Sequence, residues 1–369
     1  MRPALQFLEG ELARLEAAGL RRDYRVTAPG CSLDACSNDY LGYGTACGEG
    51  LGGVRWGARG SRLVVGDSDE VRALEEEVAS WVGQEAGLVF TSGYAANVGV
   101  VGALAGRGDR VVSDELCHAS LIDGCRLSGA DVKVVRHRDV AGVARALAEA
   151  GGRRRWVVVE SYYSMEGTIA PLGELRQVCD QHGAGLIVDE AHALGVFGPG
   201  GAGVCRVEGV VADVVVGTFG KAVGVQGAFV ASDAVAAEWL WNRARSFVFS
   251  TGMSPAVAGK VLENVRRVRL DEAGRGRLHA NASRFRARAA AAGLRVLAGS
   301  VGPIVPVIVG AAEACVEVER KVARLGVRVK AIRPPTVPQG TARLRVTLRA
   351  TMTRDDVDRV ADAVAGATR

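Results

Sequence analysis

The chain of 369 residues is 48% apolar and 24% charged, with a formal net charge of +5, which suits a globular protein with a large core and two or three domains. No apolar run reaches membrane-spanning length. The first twenty residues mix Glu9, Glu11 and Glu16 with leucines and lack the basic start, apolar centre and cleavage site of a leader, so a cytoplasmic protein without membrane contact is expected. Aromatics make up only 5% and basic residues are dispersed, which argues against a nucleic-acid partner, although the mild positive excess suits an anionic substrate or an acidic carrier.

Residues 1–44 read as a helix and an arm, too short for a core of their own. Residues 45–268 read as a large α/β domain. Val71, Leu74, Val78 and Val82 share one face of an amphipathic helix, and GLVFTSG then begins a strand. RVVSD, VKVVRH, RWVVVES, GLIVDEA, DVVVGTF and GAFVAS follow as short strands with helical stretches between most of them. Several are apolar without alternation, the mark of strands covered on both faces, so a mostly parallel sheet of seven strands is expected. Arg153, Arg154 and Arg155 read as a solvated turn before one of them. Residues 269–369 form a small α+β domain: a basic helix over 279–292, the strand PIVPVIVG, a helix over 312–325, the strands VRVKAIRPP and TARLRVTL, and a last helix from Arg354.

The eight cysteines form no C-x-x-C pair, and the five histidines have neither H-x-x-x-H nor H-E-x-x-H spacing. Reduced, mostly structural thiols and no metal are expected. Two strings mislead. DEAH at Asp189 resembles a helicase box, but no phosphate-binding G-x-x-x-x-G-K-[ST] accompanies it; GPGGAG at Gly198 contains Pro199 and follows no strand directly, so it reads as a surface turn.

Ligands of open parallel sheets sit beyond the carboxyl ends of the strands. Four polar stretches occupy such ends: TSGYAAN from Thr91, ESYYSMEG from Glu160, DEAHALG from Asp189 and TFGKAVG from Thr218. Each alone reads as structural, and His118 alone reads as a satisfied buried histidine. Together they suggest a site. A lysine near apolar walls and a cationic ring loses basicity and attacks carbonyl carbons. Pyridoxal phosphate offers such a carbonyl and needs an aspartate for its ring nitrogen, an aromatic cover and a phosphate cup. Lys221, Asp189, His118 and the amides of Gly93 and Tyr94 at a helix start are the candidates.

From SNDYLG (37–42) through GSRLV, the four strand-end stretches and VFSTG (248–252) to the last domain, the chain resembles the α-oxoamine synthase family of pyridoxal-phosphate enzymes, with the fold type I transferase architecture. The motifs keep the family's order over nearly the whole chain. The resemblance implies that Lys221 binds the cofactor covalently and moves the substrate Cα proton, that His118 stacks on the ring, and that Asp189 pairs with its nitrogen. It further implies that His192 bonds the phenolic oxygen, Ser164 touches the cofactor, and Thr218 helps hold the phosphate. Ser250 and Thr251 resemble phosphate contacts lent by the other subunit of a homodimer. Arg345 resembles the arginine that grips the amino-acid carboxylate, and Arg21, Asn38, Arg333 and Thr336 match substrate-side positions; read alone, Arg21 is a solvent-facing helix end.

Within the family, AIRPPTVPQGTARLRVTL (331–348) resembles the branch that joins L-alanine to a pimeloyl thioester, on coenzyme A or on an acyl carrier protein. The alternatives are a glycine-using relative and a non-catalytic dimer partner; members of the second kind typically lose the lysine that stands here at 221. Three residues depart from the family's pattern: Arg59 replaces a usual glycine, Val71 a common histidine, and Glu166 a frequent aspartate. The stretch between Gly42 and Gly57 is also short, and all four features bear on acyl-chain selection.

Overall fold

A computed structural model describes residues 13, 17, 18, 33, 34, 40, 41, 57–64, 66–149 and 151–369. Arg21, Asn38, Cys31, Cys36, Cys47 and most of the expected N-terminal helix and arm lie outside the described residues. Strands run in chain order as β1 (Leu33–Asp34), β2 (Ala86–Phe90), β3 (Arg110–Asp114), β4 (Asp131–Val135), β5 (Arg155–Glu160), β6 (Gly185–Asp189), β7 (Val214–Thr218), β8 (Ala228–Ser232), β9 (Ile304–Gly310), β10 (Val327–Arg328), β11 (Lys330–Ile332) and β12 (Ala342–Thr347). Seven of them form one sheet in the order β2-β8-β7-β6-β5-β3-β4. Only β8 runs against its neighbours β2 and β7. The mostly parallel seven-stranded sheet expected from the sequence is the one observed.

Helices α1 (Asp69–Val82), α2 (Gly93–Leu104), α3 (Ala119–Ser128), α4 (Val140–Ala148), α5 (Leu172–His182), α6 (Val204–Glu208), α7 (Ala234–Arg243), α8 (Arg245–Val248) and α9 (Pro255–Leu270) cover both faces of this sheet. Alternation along a strand sends successive side chains to opposite faces. Val157 and Val159 of β5 accordingly join the core under α1, α4, α5 and α9, while Val158 joins that under α2, α3 and α7. On α1 the four periodic residues Val71, Leu74, Val78 and Val82 are all buried. The Ser68 side chain accepts from Val71 N to open this helix, and Gly83 closes it in the left-handed region at φ 75°.

Beyond α9 come α10 (Glu272–Ala291), α11 (Ala312–Arg324) and α12 (Arg354–Thr368). They pack on an antiparallel sheet of order β11-β12-β9 around Phe285, Val322, Leu344 and Val364. Helix α10 starts well before the expected residue 279, because the Asp271 carboxylate accepts from Gly274 N at 2.7 Å and caps it there. The small β1 pairs in parallel with β10. Cys117, Cys125, Cys179, Cys205 and Cys315 are free and buried. Among the described residues no helix is long and apolar enough to cross a membrane.

One fold feature answers a departure noted in the sequence. Arg59 sits at φ 67°, where a Cβ meets the following carbonyl and glycine does not. Its side chain is exposed, so nothing in the core compensates. Arg59→Gly is expected to stabilise the fold by about 1 kcal/mol, read from the urea midpoint; a lower midpoint would show that the arginine makes a compensating contact.

Candidate active site

The Lys221 loop explains why a lysine can be held at a strand end. Between β7 and β8 the chain turns tightly: Phe219 N donates to Gly227 O at 2.9 Å, Val225 N to Phe219 O at 2.8 Å, and Gly224 N to Lys221 O at 3.0 Å. Phe219, Ala222 and Val223 are buried beneath it, and Asn264 of α9 donates to Val223 O at 2.8 Å. Gly217 lets this strand end close up, since a Cβ there would lie 2.3 Å from the Phe229 ring and 2.4 Å from Leu194. With its loop so fixed, Lys221 is half-buried as a residue while its amine is withdrawn from water. That desolvation lowers its pKa to about 8, against the opposing pull of Asp189 and Glu160 and with the help of the Arg345 charge.

Asp189 ends β6 and is buried. Its Oδ1 accepts from Ala191 N at 2.8 Å and its Oδ2 from Asn97 Nδ2 at 2.7 Å. The same Asn97 amide donates to Ser120 Oγ at 2.9 Å, and Ser120 Oγ lies 2.7 Å from His118 Nδ1. His118 is exposed and forms the cap of α3, accepting from Ser120 N at 3.2 Å. The residue as a whole is open to solvent but its ring is partly shielded, and that desolvation, ahead of the Lys221 charge, lowers its pKa while Asp189 pulls upward.

His192, three residues beyond Asp189, is buried and meets Tyr40 Oη through Nδ1 at 2.8 Å. Burial holds the Tyr40 phenol up at about 12, with the Arg345 charge and hydrogen bond opposing, so the phenol keeps its proton; since Arg345 donates to its oxygen, the phenol hydrogen is left for His192 Nδ1. His192 is pushed well below the usual histidine range by burial, then by the charges of Lys221, Arg345 and His118. A neutral ring that accepts at Nδ1 carries its hydrogen on Nε2.

Glu160 ends β5 directly opposite Asp189 in the sheet register. It is buried, accepts from Ser164 N at 3.1 Å through Oε2, and leaves Oε1 without a partner. Burial, then the Asp189 charge, raises its pKa to about 8, with Lys221 opposing. Ser164 O in turn accepts from Arg345 Nε at 2.7 Å, and Arg345 Nη1 donates to Thr347 Oγ1 at 3.2 Å. Two residues earlier on β12, Arg343 bonds Glu166 at 3.1 Å and Met165 O at 3.4 Å.

The helix start at Gly93 lies against the end of β7. A Cβ on Gly93 would stand 3.8 Å from both Thr218 Cβ and Oγ1, filling the space between them. Ser92 takes the amides of Ala95 and Ala96, and helix geometry leaves those of Gly93 and Tyr94 to an anion. The Tyr94 side chain turns outward to Asp123 at 2.6 Å. Ser250 and Thr251 lie elsewhere, on a segment bridged to Ser61 and Gly60; among the described residues no hydrogen bond joins them to the Lys221 group. Arg333 and Thr336 share the turn after β11, where Thr336 N donates to Arg333 O at 3.1 Å.

Lys221, Asp189, His118, His192, Ser164 and Arg345 are therefore linked by bonds or charge effects, with Gly93 against Thr218 at the same sheet edge. The sequence reading missed Tyr40, Asn97, Ser120, Glu160 and Arg343. Tyr40, Asn97, Glu160 and Arg343 stand inside the quoted stretches, but their burial and partners depend on distant segments. The donor set suits an anionic, aldehyde-bearing aromatic ring: a weakly basic amine, a carboxylate, two imidazoles and an anion cup on one edge.

The aminotransferase class I and II family model matches residues 36–364. An 8-amino-7-oxononanoate synthase of Alkalilimnicola ehrlichii is 44% identical, covering 96% of this chain and 95% of that protein. A serine palmitoyltransferase from S. paucimobilis with bound PLP superposes with TM-score 0.89 at 30% identity, over 99% of this chain and 97% of that one. An 8-amino-7-oxononanoate synthase of Francisella tularensis gives TM-score 0.78 at 25% identity, over 91% and 97%. This chain belongs to the aminotransferase class I and II family.

Proposed function

We propose that the chain catalyses the pyridoxal-phosphate-dependent condensation of L-alanine with a pimeloyl thioester, with loss of carbon dioxide, the 8-amino-7-oxononanoate synthase reaction of biotin synthesis. One observation carries this reading: the withdrawn amine of Lys221, lowered to about 8, stands among Asp189, Glu160 and Arg345 in a chain 44% identical to such a synthase. The division into residues 1–44, 45–268 and 269–369 is part of the proposal, and the Arg345–Ser164 bond between the last two supports a shared site.

When bound, the cofactor supplies an aldehyde that an amine can occupy and an electron-poor ring that stabilises negative charge at a substrate Cα. Lys221 would hold the aldehyde, and its amine, when free, would carry the proton of the substrate Cα. With a pKa of about 8, roughly a tenth of that amine is neutral at pH 7. Asp189 would face the ring nitrogen, His192 would donate from Nε2 to the phenolic oxygen, His118 would cover the ring, and Ser164 would touch its edge. Gly93, Tyr94 and Thr218 would hold the phosphate. Arg345 would hold the alanine carboxylate until it leaves as carbon dioxide, with Arg21, Asn38, Arg333 and Thr336 on the substrate side.

The proposed assembly is a homodimer in which Ser250 and Thr251 reach the partner's phosphate. Leu63, Val64 and Phe249 are 41%, 77% and 73% exposed beside the Ser61–Thr251 bridge, an apolar edge that supports a covered face. Phe249→Asp should shift the protein towards monomer in sedimentation and weaken cofactor retention. An unchanged dimer with unchanged retention would remove this face from the interface.

The assay that tests the function gives purified protein L-alanine or glycine with pimeloyl-CoA or pimeloyl-acyl carrier protein. The amino ketone should form with alanine; product from glycine alone would assign the chain to a different member reaction. In the same assay Arg345→Lys, which keeps the charge and loses the fork, should raise the KM for alanine about 100-fold, whereas an unchanged KM would remove Arg345 from the carboxylate site.

Capture of pyridoxal phosphate by cofactor-free protein depends on neutral Lys221. Because the folded pKa is lowered, the capture rate should rise with pH up to about 8 and level above it. Stopped-flow absorbance checks this, and a rise continuing to the pH of a free lysine would contradict it.

A further inference from the structure

We infer that Asn97 and Ser120 are positioning residues, joining His118 to Asp189 in one directed hydrogen-bond chain that keeps the His118 proton on Nε2. The inference deepens the proposed function, and rests on it in treating His118 and Asp189 as parts of one cofactor site.

The direction follows from the groups themselves. Asn97 and Ser120 are 2% and 1% exposed, so neither can exchange its partners for water. Reversing the Asn97 amide would set its carbonyl oxygen against the Asp189 carboxylate, whose Oδ2 lies 2.7 Å from Nδ2. Nδ2 must therefore be the atom facing Asp189, and it has a second hydrogen for Ser120 Oγ at 2.9 Å. Ser120 Oγ then accepts from Asn97, and its single hydrogen turns to His118 Nδ1 at 2.7 Å. The Ser120 backbone N–H, 3.2 Å from the same nitrogen, is a longer second donor aimed at Nδ1. Both donors agree, which leaves Nε2–H as the neutral tautomer.

Asn97 keeps this arrangement at a cost. No protein group bonds its buried Oδ1, an acceptor that a residue serving only to pack α2 against α3 would not need. A leucine of similar size would pack there without an unsatisfied acceptor. What the amide adds is the ability to donate twice, once to each end of the chain.

The test is 15N NMR of the His118 ring in loaded and cofactor-free protein, together with kcat. Wild type should show a protonated Nε2 and an accepting Nδ1. Asn97→Asp replaces the donor by a carboxylate, so the Ser120 hydroxyl turns its hydrogen towards it and Ser120 Oγ can only accept from His118 Nδ1. The ring should then move its hydrogen towards Nδ1, and kcat should fall at least about tenfold. Adding Ser120→Ala should cancel the effect of Asn97→Asp on the ring, because the hydroxyl that transmits it is gone. The inference fails if Asn97→Asp leaves the tautomer unchanged, or changes it equally with and without the Ser120 hydroxyl. Should Asn97→Asp not fold, Ser120→Ala alone decides, since only the longer backbone contact of residue 120 then faces Nδ1: a measurable share of Nδ1–H tautomer supports the chain, and an unchanged ring overturns it whatever happens to kcat. The ring is read without cofactor as well. A fixed Nε2–H in a protein that takes no pyridoxal phosphate would refute the proposed function and leave the chain standing, and the reverse result would do the opposite.

Discussion

The charge cluster around the Lys221 amine is the constraint to which the rest of the sheet edge answers. Register places Glu160 and Asp189 side by side at the ends of β5 and β6, and Lys221 comes from the loop after β7, one strand further on. Two carboxylates and an amine out of water cannot all be charged cheaply. The group that yields is Glu160, whose pKa burial and the Asp189 charge raise to about 8. Asp189 is the carboxylate with two donors, Asn97 and the Ala191 amide, while Glu160 has one and an oxygen with none. Donor number thus separates the roles of two acids in otherwise similar positions. The amine facing them keeps a pKa low enough for chemistry near neutrality.

Holding that cluster in place needs rigid walls, and the buried Glu190 shows how they are tied. It accepts from Ser161 Oγ at 2.5 Å, Val204 N at 3.0 Å and Cys205 N at 2.6 Å. One side chain thereby joins the ends of β5 and β6 to the start of α6. Its neighbours in sequence, Asp189 and the nearby His192, face the site from a backbone that has little freedom to shift. The misleading DEAH string is in physical terms two site residues separated by one structural carboxylate and one buried alanine.

The legible part of the molecule was whatever repeats locally. Apolar runs gave the seven strands, periodic valines gave α1, and polar strand ends marked the edge where Lys221, Asp189 and Glu160 meet. What stayed hidden needed a partner far along the chain. Tyr40 bonds His192 across 152 positions, and Asn97 bonds Asp189 across 92; no spacing rule connects such pairs. Asp271 caps α10 through its own neighbour, a local signal, yet Gly274 and Gly276 weakened the helical pattern there and displaced the expected start. The departures from the family's pattern became readable only with geometry: Arg59 bears a left-handed backbone, Val71 is wholly core, and Glu166 reaches an arginine.

That arginine belongs to a clasp between β12 and the loop after β5. Arg343 and Arg345 are two apart on β12 and so share one face of the strand. Arg343 takes Met165 O and the Glu166 carboxylate, and Arg345 takes Ser164 O. Three consecutive residues of one loop are thus held by two arginines of another sheet. Burial raises the pKa of Glu166 and lowers that of Arg343, so desolvation outweighs the attraction between them and the pair adds little to stability. Its value lies in direction. A carboxylate one methylene longer than aspartate can meet a guanidinium set back in the sheet, and anchoring Arg343 there fixes the strand that carries Arg345. The loop that presents Ser164 and the strand that presents Arg345 therefore shift together or not at all, which makes the placing of the Arg345 guanidinium a property of the two sheets jointly.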